Sequence, residues 1–424
     1  MKILVLGGYG LIGLAITKAL LRAGHEVTGL GRSLAKGRAA APEAGWVARD
    51  LSQMTDEAAW ADVLAGVDVV VNAAGVLQDG MNDHVMAVQR DAVQAMAAAC
   101  KAAGVRQIVQ VSAPGVSESS DTVFYRSKAE GDAAVKASGV SWVIFRPGLV
   151  LSPQAYGGTA LLRQLAAVPL VQPVMLADAP IQTVHVDDVA AAVVRASGEG
   201  LTGVDADLVS AEATRLEDLI LTLRAWLGFR APAMKIRAPL FLGSLAARAG
   251  DLAGWLGWRP ALRTTSLRVL ADGVRGDASA WPVRGLKQSL QDLPSTVQER
   301  TYARTALLYP FLLLILSAFW IVSGLIGWVQ QGAAMAVFGE NVPVLLAKTF
   351  VLGGAMADIA IGAALLFRPL TRPAALASVL VSLGYLAGSA VFAPHLWADP
   401  LGPMVKVFPA IALGLTVWVL TEPR

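Results

Sequence analysis

The sequence predicts an α/β protein: a doubly wound parallel sheet with a small substrate-side subdomain, followed by an all-α bundle of four transmembrane helices. Three observations predict it. An apolar run, Ile3-Leu4-Val5-Leu6, leads into Gly7-Gly8-Tyr9-Gly10-Leu11-Ile12-Gly13 and then into a small-and-apolar helical pattern. Strand and helix patterns alternate from there to about residue 200, as in doubly wound sheets. After Arg304 the composition changes to four long apolar stretches. These changes set the boundaries at residues 1–200 for the α/β domain, 201–304 for the substrate-side subdomain and 305–424 for the membrane bundle.

Ile3 to Leu6 suit a parallel strand buried on both faces. Gly7, Gly10 and Gly13 come next, at a spacing of three. Strand, glycine turn and helix in that order form the context for dinucleotide binding. The glycines let the turn close and let a pyrophosphate approach the backbone at the helix N-terminus. The bland alternative is a tight turn that binds nothing. Residues 3–6 are too short an apolar run for a signal peptide, so the N-terminal part is expected in the cytosol.

The next strand, Glu26 to Leu30, ends at Gly31-Arg32-Ser33. Where NAD is selected, an acidic residue usually accepts from the ribose 2′-hydroxyl here. Arg32 stands there instead, and a guanidinium suits a 2′-phosphate by charge and fork geometry. NADP(H) is therefore expected over NAD(H). Further strands end at Asp50-Leu51, at Asn72-Ala73-Ala74-Gly75, at Ser112 and at Arg146-Pro147-Gly148. Ligands of such sheets bind off the C-terminal strand ends, where these residues collect. A strand over Thr183–Val186 is expected to return to the sheet.

Composition narrows the function classes. The 424 residues exceed one ordinary domain. Hydrophobic residues at 55% and charged residues at 16% lean towards a membrane protein. A net charge of +3 is too mild for nucleic-acid binding. The single Cys100 excludes an internal disulfide, and four scattered histidines offer no metal-ligand spacing.

The motifs resemble the short-chain dehydrogenase/reductase superfamily in its extended or atypical branch, the NAD-dependent epimerase/dehydratase type with a Rossmann fold. The resemblance rests on Gly7–Gly13, Asp50-Leu51, Val71-Asn72-Ala73-Ala74-Gly75, Ser112, Arg146-Pro147-Gly148 and His185-Val186-Asp187-Asp188-Val189-Ala190, and covers roughly the first half of the chain. It implies that Asp50 lies near the adenine and Pro147-Gly148 near the nicotinamide. It also implies a tyrosine and a lysine four residues apart on one helix, with a serine holding the substrate oxygen. This chain reads Phe124-Tyr125-Arg126-Ser127-Lys128. Ser112 and Lys128 match. Four residues before Lys128 stands Phe124, and Tyr125 is rotated by about 100° from the family position. Either Tyr125 works in a shifted geometry, or the site binds a dinucleotide without tyrosine-dependent chemistry.

In the middle segment, Pro239 to Trp258 place Leu242, Leu245, Ala249, Leu252 and Leu256 on one helical face. Arg248 and Asp251 break it too much to span a bilayer. It reads either as a membrane-interface helix or as a lid or core helix. The four apolar stretches, about 306–328, 343–367, 373–393 and 403–421, approach the length of about 20 residues that crosses a bilayer. Arg300, Arg304, Arg368, Arg372 and Arg424 lie on one side; the opposite loops carry Glu340, His395 and Asp399 without lysine or arginine. Both termini are thus expected on the cytoplasmic face of an inner membrane. Asp358 inside the second span is either functional or a packing contact. The region resembles the DoxX-like family. The function expected is a membrane-anchored oxidoreductase or epimerase with a membrane-associated substrate. The alternative is a non-catalytic accessory or sensor protein.

Overall fold

A computed structural model describes residues 1–339 and 342–421; the charges expected at Glu340 and Arg424 lie outside the described residues. The chain divides into two compact units, Met1–Gly254 with Arg259–Ala303, and Trp255–Trp258 with Arg304–Arg424.

The first unit is built on β1 (Lys2–Leu6), β2 (Glu26–Gly31), β3 (Gly45–Ala48), β4 (Val69–Asn72), β5 (Gln107–Val111) and β6 (Ser141–Pro147). All pair in parallel, in the order β3-β2-β1-β4-β5-β6, with Val204–Leu208 at the far edge. Side chains of a strand alternate between faces. Ile3 and Val5 therefore pack with Ile16 and Leu20 of α1 (Leu11–Arg22) and with Val189 and Val193 of a later helix, Val186–Glu199. Leu4 and Leu6 pack on the other face with Trp60, Leu64, Met96 and Val135. Those residues come from the segment Glu57–Leu64, from α4 (Ala92–Ala102) and from α5 (Val123–Ala137); the short α2 (Leu34–Ala40) and α3 (Ala61–Leu64) complete the early crossovers. Burying each such aliphatic side chain contributes about 1.5–3 kcal/mol as an upper estimate. The order of connection reverses between β1 and β4, which opens a crevice at their C-terminal ends.

One strand differs from expectation. Thr183–His185 does not return to the main sheet; it pairs in parallel with β7 (Leu149–Leu151) in a sheet of its own. The seventh place goes to Val204–Leu208, which runs beside β6. Its sequence, Val-Asp-Ala-Asp-Leu, carries two carboxylates, so it lacks the apolar run that marks the inner strands. Charged residues are the usual device on an exposed edge. A third core cluster gathers α6 (Gly157–Ala166), Leu216, Leu219 and Leu223 of a helix Leu216–Trp226, and Leu290 and Ala303.

The helix Leu240–Trp255 covers most of the expected segment. Its buried positions are Gly243, Ala247, Gly250 and Gly254. A Cβ on Gly250 would lie 2.1 Å from the Leu262 carbonyl oxygen, so this face packs backbone to backbone. The large apolar residues point outward: Phe241, Leu245, Leu252 and Trp255 are each more than 60% exposed.

In the second unit, Val297–Val329, Val344–Leu366 and Arg368–Phe392 are long and apolar enough to cross a membrane. The fourth stretch is helical only over Val407–Leu420. Pro400, Gly402 with φ +59° and Pro403 delay its start. Its 14 residues reach about 21 Å at about 1.5 Å per residue, against a hydrocarbon core of about 30 Å. The inner seam holds Leu316, Trp320, Leu365 and Ala375. Asp358 accepts from the Tyr385 hydroxyl at 2.6 Å and the Ser323 hydroxyl at 3.1 Å. One end of the unit gathers several segments. The Trp258 indole donates to Leu366 O (2.7 Å), Arg368 N to Leu256 O (3.0 Å), and Tyr309 hydrogen-bonds Thr421 (2.6 Å).

Candidate cofactor and catalytic site

The crevice between β1 and β4 is lined by the glycine turn. Gly7 has φ +68°, and its N–H donates to Leu30 O at 2.9 Å. A Cβ there would lie 3.0 Å from Ala74 Cα and 3.2 Å from Ala73 O, so the turn rests on Asn72-Ala73-Ala74-Gly75. Asn72 is itself fixed: its Nδ2 donates to Gln110 and its Oδ1 accepts from Ala74 N. Gly10 N closes the turn on Gly7 O (2.8 Å), and Gly10 caps α1. The N–H groups of Leu11, Ile12 and Gly13 then lie in the first turn, where a helix has no internal acceptors for them. A Cβ on Gly13 would fall 2.1 Å from Gly7 O. This cradle of bare backbone fits a pyrophosphate.

At the end of β2, Tyr9 lies over Gly31, whose Cβ would stand 2.4 Å from the ring. The Tyr9 hydroxyl accepts from Ser33 N at 3.1 Å, and the Ser33 hydroxyl caps α2. Arg32 donates to Asn82 O (2.8 Å) and pairs with Asp83 (3.2 Å). Asp50 Oδ1 accepts from Ser52 N and Oγ, capping a short turn that contains Leu51. Across the crevice, Gly148 follows Pro147; a Cβ on it would lie 2.6 Å from Gln182 O.

α5 starts at Thr122, whose hydroxyl accepts from Tyr125 N at 3.3 Å. Lys128 is buried and donates to Val111 O at 3.2 Å. Its Nζ stands 3.8 Å from where a Gly75 Cβ would be, so Lys128 and the Asn72–Gly75 segment converge. One protein acceptor leaves two of its three N–H donors for a ribose. Burial pushes the ammonium below the usual lysine value; the Asp132 carboxylate opposes this and Arg146 adds to it. Phe124 faces the ammonium, with Nζ 5.9 Å from the ring centroid. Tyr125 packs beside Phe124 at 5.3 Å and is only 6% exposed. Burial, then the negative charge of Asp272, pushes its hydroxyl up to about 12. The Ser112 hydroxyl donates to Asp132 Oδ2 at 2.7 Å, and Arg146 pairs with the same oxygen at 3.1 Å. The glycine turn, Asn72–Gly75 and Lys128 are thus brought together, whereas the Ser112 hydroxyl is engaged with Asp132.

Gln89 was not among the expected residues. It sits in a π-helical turn, Ala87–Asp91, a feature frequent at functional sites. Its Nε2 donates to Ser127 at 3.0 Å. Its Oε1 is buried with no hydrogen-bond partner among the described residues, 3.5 Å from where a Gly75 Cβ would be. An orphaned acceptor beside the lysine fits a ligand that brings hydroxyl donors. The signal in the sequence was a glutamine on the stripe that continues with Val93, Met96 and Cys100.

Cradle, lysine and orphan acceptor all lie in the α/β unit, and the unit that follows it holds three helices long and apolar enough to cross a membrane. Residues 7–199 match the NAD(P)H-binding family, and residues 317–415 match the DoxX-like family. The chain thus joins an NAD(P)H-binding domain to a DoxX-like membrane domain. The ceramide reductase of Caulobacter vibrioides is 34% identical over 131 residues, which are 30% of this chain and 40% of that protein. The chain therefore matches less than half the length of this relative. Among solved structures, the NADPH-dependent quinone oxidoreductase QOR2 of Escherichia coli, complexed with NADPH, is similar at a TM-score of 0.51 and 20% identity. It covers 72% of this chain and 99% of its own. The structure of gox2253 is similar at 0.51 and 20%, covering 73% and 98%. At such identity the likeness is one of fold.

Proposed function

We propose that the protein is a membrane-anchored NADP(H)-dependent oxidoreductase or epimerase of the extended short-chain type, acting on a lipophilic substrate held at the bilayer. The observation that carries this reading is Lys128: a buried ammonium with spare donors, beside Gly75 and the orphaned Gln89 acceptor, at the mouth of a glycine cradle. Gly7–Gly13 would hold the pyrophosphate, with Asp50-Leu51 near the adenine, Arg32 and Ser33 at the adenosine ribose, and Asn72–Gly75, Lys128, Pro147 and Gly148 around the nicotinamide half. A bound nicotinamide supplies or accepts a hydride. Tyr125 would give the proton to the substrate oxygen as hydride reaches its carbon. The Tyr125 hydroxyl is protonated at neutral pH and so has a proton to give. Burial and Asp272, which push it up to about 12, make it a weaker acid than one tuned near the operating pH, and a bound cofactor and substrate would have to offset this. Ser112 acts through Asp132, which sits on α5 one turn after Lys128.

The lipophilic substrate is supported by the outward apolar side chains of Leu240–Trp255, which suit a helix lying in the membrane interface. It is also supported by the name of the ceramide reductase relative. A four-pass arrangement with both termini cytoplasmic is supported by charge. It is supported too by the grouping of Tyr309, Leu366, Arg368 and Thr421 at one end of the helical unit. Cysteines placed at His395 and Ala398 should then react with an impermeant reagent from outside; labelling only from the cytosol reverses the orientation.

One observation favours a second reading, a non-catalytic NAD(P)H-binding accessory or sensor: Phe124, which has no proton to give, faces Lys128. Turnover separates the two. Full-length protein in nanodiscs, with NADPH and a panel of long-chain ketones, quinones and lipid-linked sugars, should oxidise the cofactor with at least one substrate. Tyr125→Phe should lower that rate by about 10²–10⁴-fold while NADPH still binds. Equal rates in wild type and Tyr125→Phe would refute the tyrosine mechanism.

A further inference from the structure

The end of β2 carries a second arginine that comes from far along the chain. Arg259 Nη2 lies 2.6 Å from Asp83 Oδ1, the same oxygen that Arg32 Nη1 meets at 3.2 Å. Two guanidiniums thus converge on one carboxylate oxygen beside Ser33, at the strand end where a parallel sheet of this kind receives the adenosine ribose. Both arginine side chains remain about two-fifths exposed, 42% and 41%, while Asp83 is 18% exposed. The cluster has two positive charges for one negative.

The segment that presents Asp83 is tied down along its length. Gln78 Nε2 donates to Asp251 Oδ1 (2.6 Å), and Thr265 N donates to Gln78 Oε1 (3.2 Å). Arg263 donates to Asp79 O (2.7 Å), Met81 N to Gly254 O (3.4 Å), and Val85 N to Asp79 Oδ1 (2.7 Å). Residues 78–85 form a strap that leaves the Asn72–Gly75 segment and crosses to the α4 side. The strap delivers one carboxylate between two arginines. A phosphate monoester carries about −1.5 to −2 charge and three acceptor oxygens. It would satisfy both guanidinium forks, which a single carboxylate oxygen cannot.

We infer that Arg32 and Arg259 together clamp the 2′-phosphate of NADP(H), and that Asp83 is its internal competitor, holding the two guanidiniums in place until the phosphate displaces it. This rests on the NADP(H) reading above. Asp83 weakens the phosphate complex by competing for the same donors. A cofactor without the 2′-phosphate has no group that needs both arginines.

Affinities of NADPH and NADH for the full-length protein, read from the fluorescence of the bound dihydronicotinamide, test this with three variants. Arg32→Ala and Arg259→Ala should each weaken NADPH by at least about tenfold, the loss of one charge-assisted pair, with NADH changed less than about twofold. Asp83→Ala should tighten NADPH several-fold and leave NADH unchanged. Arg259→Lys keeps the charge without the fork, so it should fall between wild type and Arg259→Ala; this covers the case in which Arg259→Ala does not fold. If Arg32→Ala lowers the NADPH preference while Arg259→Ala and Arg259→Lys leave it at the wild-type value, the clamp is wrong and the NADP(H) reading survives. If neither arginine alters the preference, both fall. If Asp83→Ala weakens NADPH, Asp83 is not a competitor.

Discussion

Gly13→Ala is the sharpest test of the cradle. The added methyl carbon would sit 2.1 Å from Gly7 O, 2.9 Å from Gly7 C and 3.2 Å from Gly8 Cα, all backbone atoms that no rotamer change can move. Real Cβ contacts do not fall below 3.0 Å, so Gly7 or the start of α1 must shift by about 0.9 Å. Overpacking of this kind costs about 1–3 kcal/mol. A hydrogen bond from backbone N–H to phosphate, about 2.9 Å when made, nearly disappears when its donor moves by that distance. Loss of one such bond to a charged group costs about 1.5–3 kcal/mol, and each 1.4 kcal/mol is about tenfold in affinity. The variant should therefore bind NADPH at least about tenfold more weakly, as read by fluorescence titration of the full-length protein. Gly198→Ala is the control. It lies in the helix Val186–Glu199 with nothing within 4 Å of the new methyl, so it should leave binding unchanged and stabilise the helix by about 0.5–1 kcal/mol. A Gly13→Ala protein with the wild-type melting temperature and wild-type NADPH affinity would refute the reasoning.

Three further outcomes are expected. His185 is held below the ordinary histidine value of 6.5, first by burial and then by the Arg284 guanidinium. Its folded-state value lies under the unfolded one, so its contribution is complete above about pH 6.5 and is lost as pH falls through the folded value. The melting temperature should drop on acidification, and His185→Gln should flatten that drop; an unchanged slope would exclude His185 as the cause. Ser112→Ala should lower stability by about 1 kcal/mol through the lost bond to Asp132 while NADPH affinity stays constant, as measured by melting and titration. A polarity-sensitive dye on Leu245→Cys in nanodiscs should be quenched by nitroxide lipids, and one on the exposed Glu43→Cys should not; equal quenching at both sites would take the helix Leu240–Trp255 off the bilayer.

Strand ends were legible because parallel strands bury both faces. Ile3–Leu6, Val69–Val71 and Gln107–Val111 stand out as compact runs, and the residues just after each run must lie at one edge of the sheet. Gly7–Gly13 and Asn72–Gly75 could be named on that ground, whereas Lys128, on the helix Val123–Ala137, was named only through the family resemblance. The membrane unit was legible by length and apolarity, except that prolines and a positive-φ glycine shortened its last helix to Val407–Leu420. The edge strand Val204–Leu208 was not legible, since solvent on one side removes the need for an apolar run.

Local pattern and turn chemistry determined the parallel sheet, the glycine cradle and the four apolar stretches, because each depends on residues within a few positions of one another. Tertiary structure alone decided which side chains meet across the site. It set Arg259 beside Arg32 through Asp83, engaged Ser112 with Asp132, left Gln89 Oε1 without a partner near Lys128 and put Phe124 rather than Tyr125 over the lysine. These pairings join residues far apart in the chain or depend on how a helix is rotated about its axis, and neither leaves a periodic trace in the sequence.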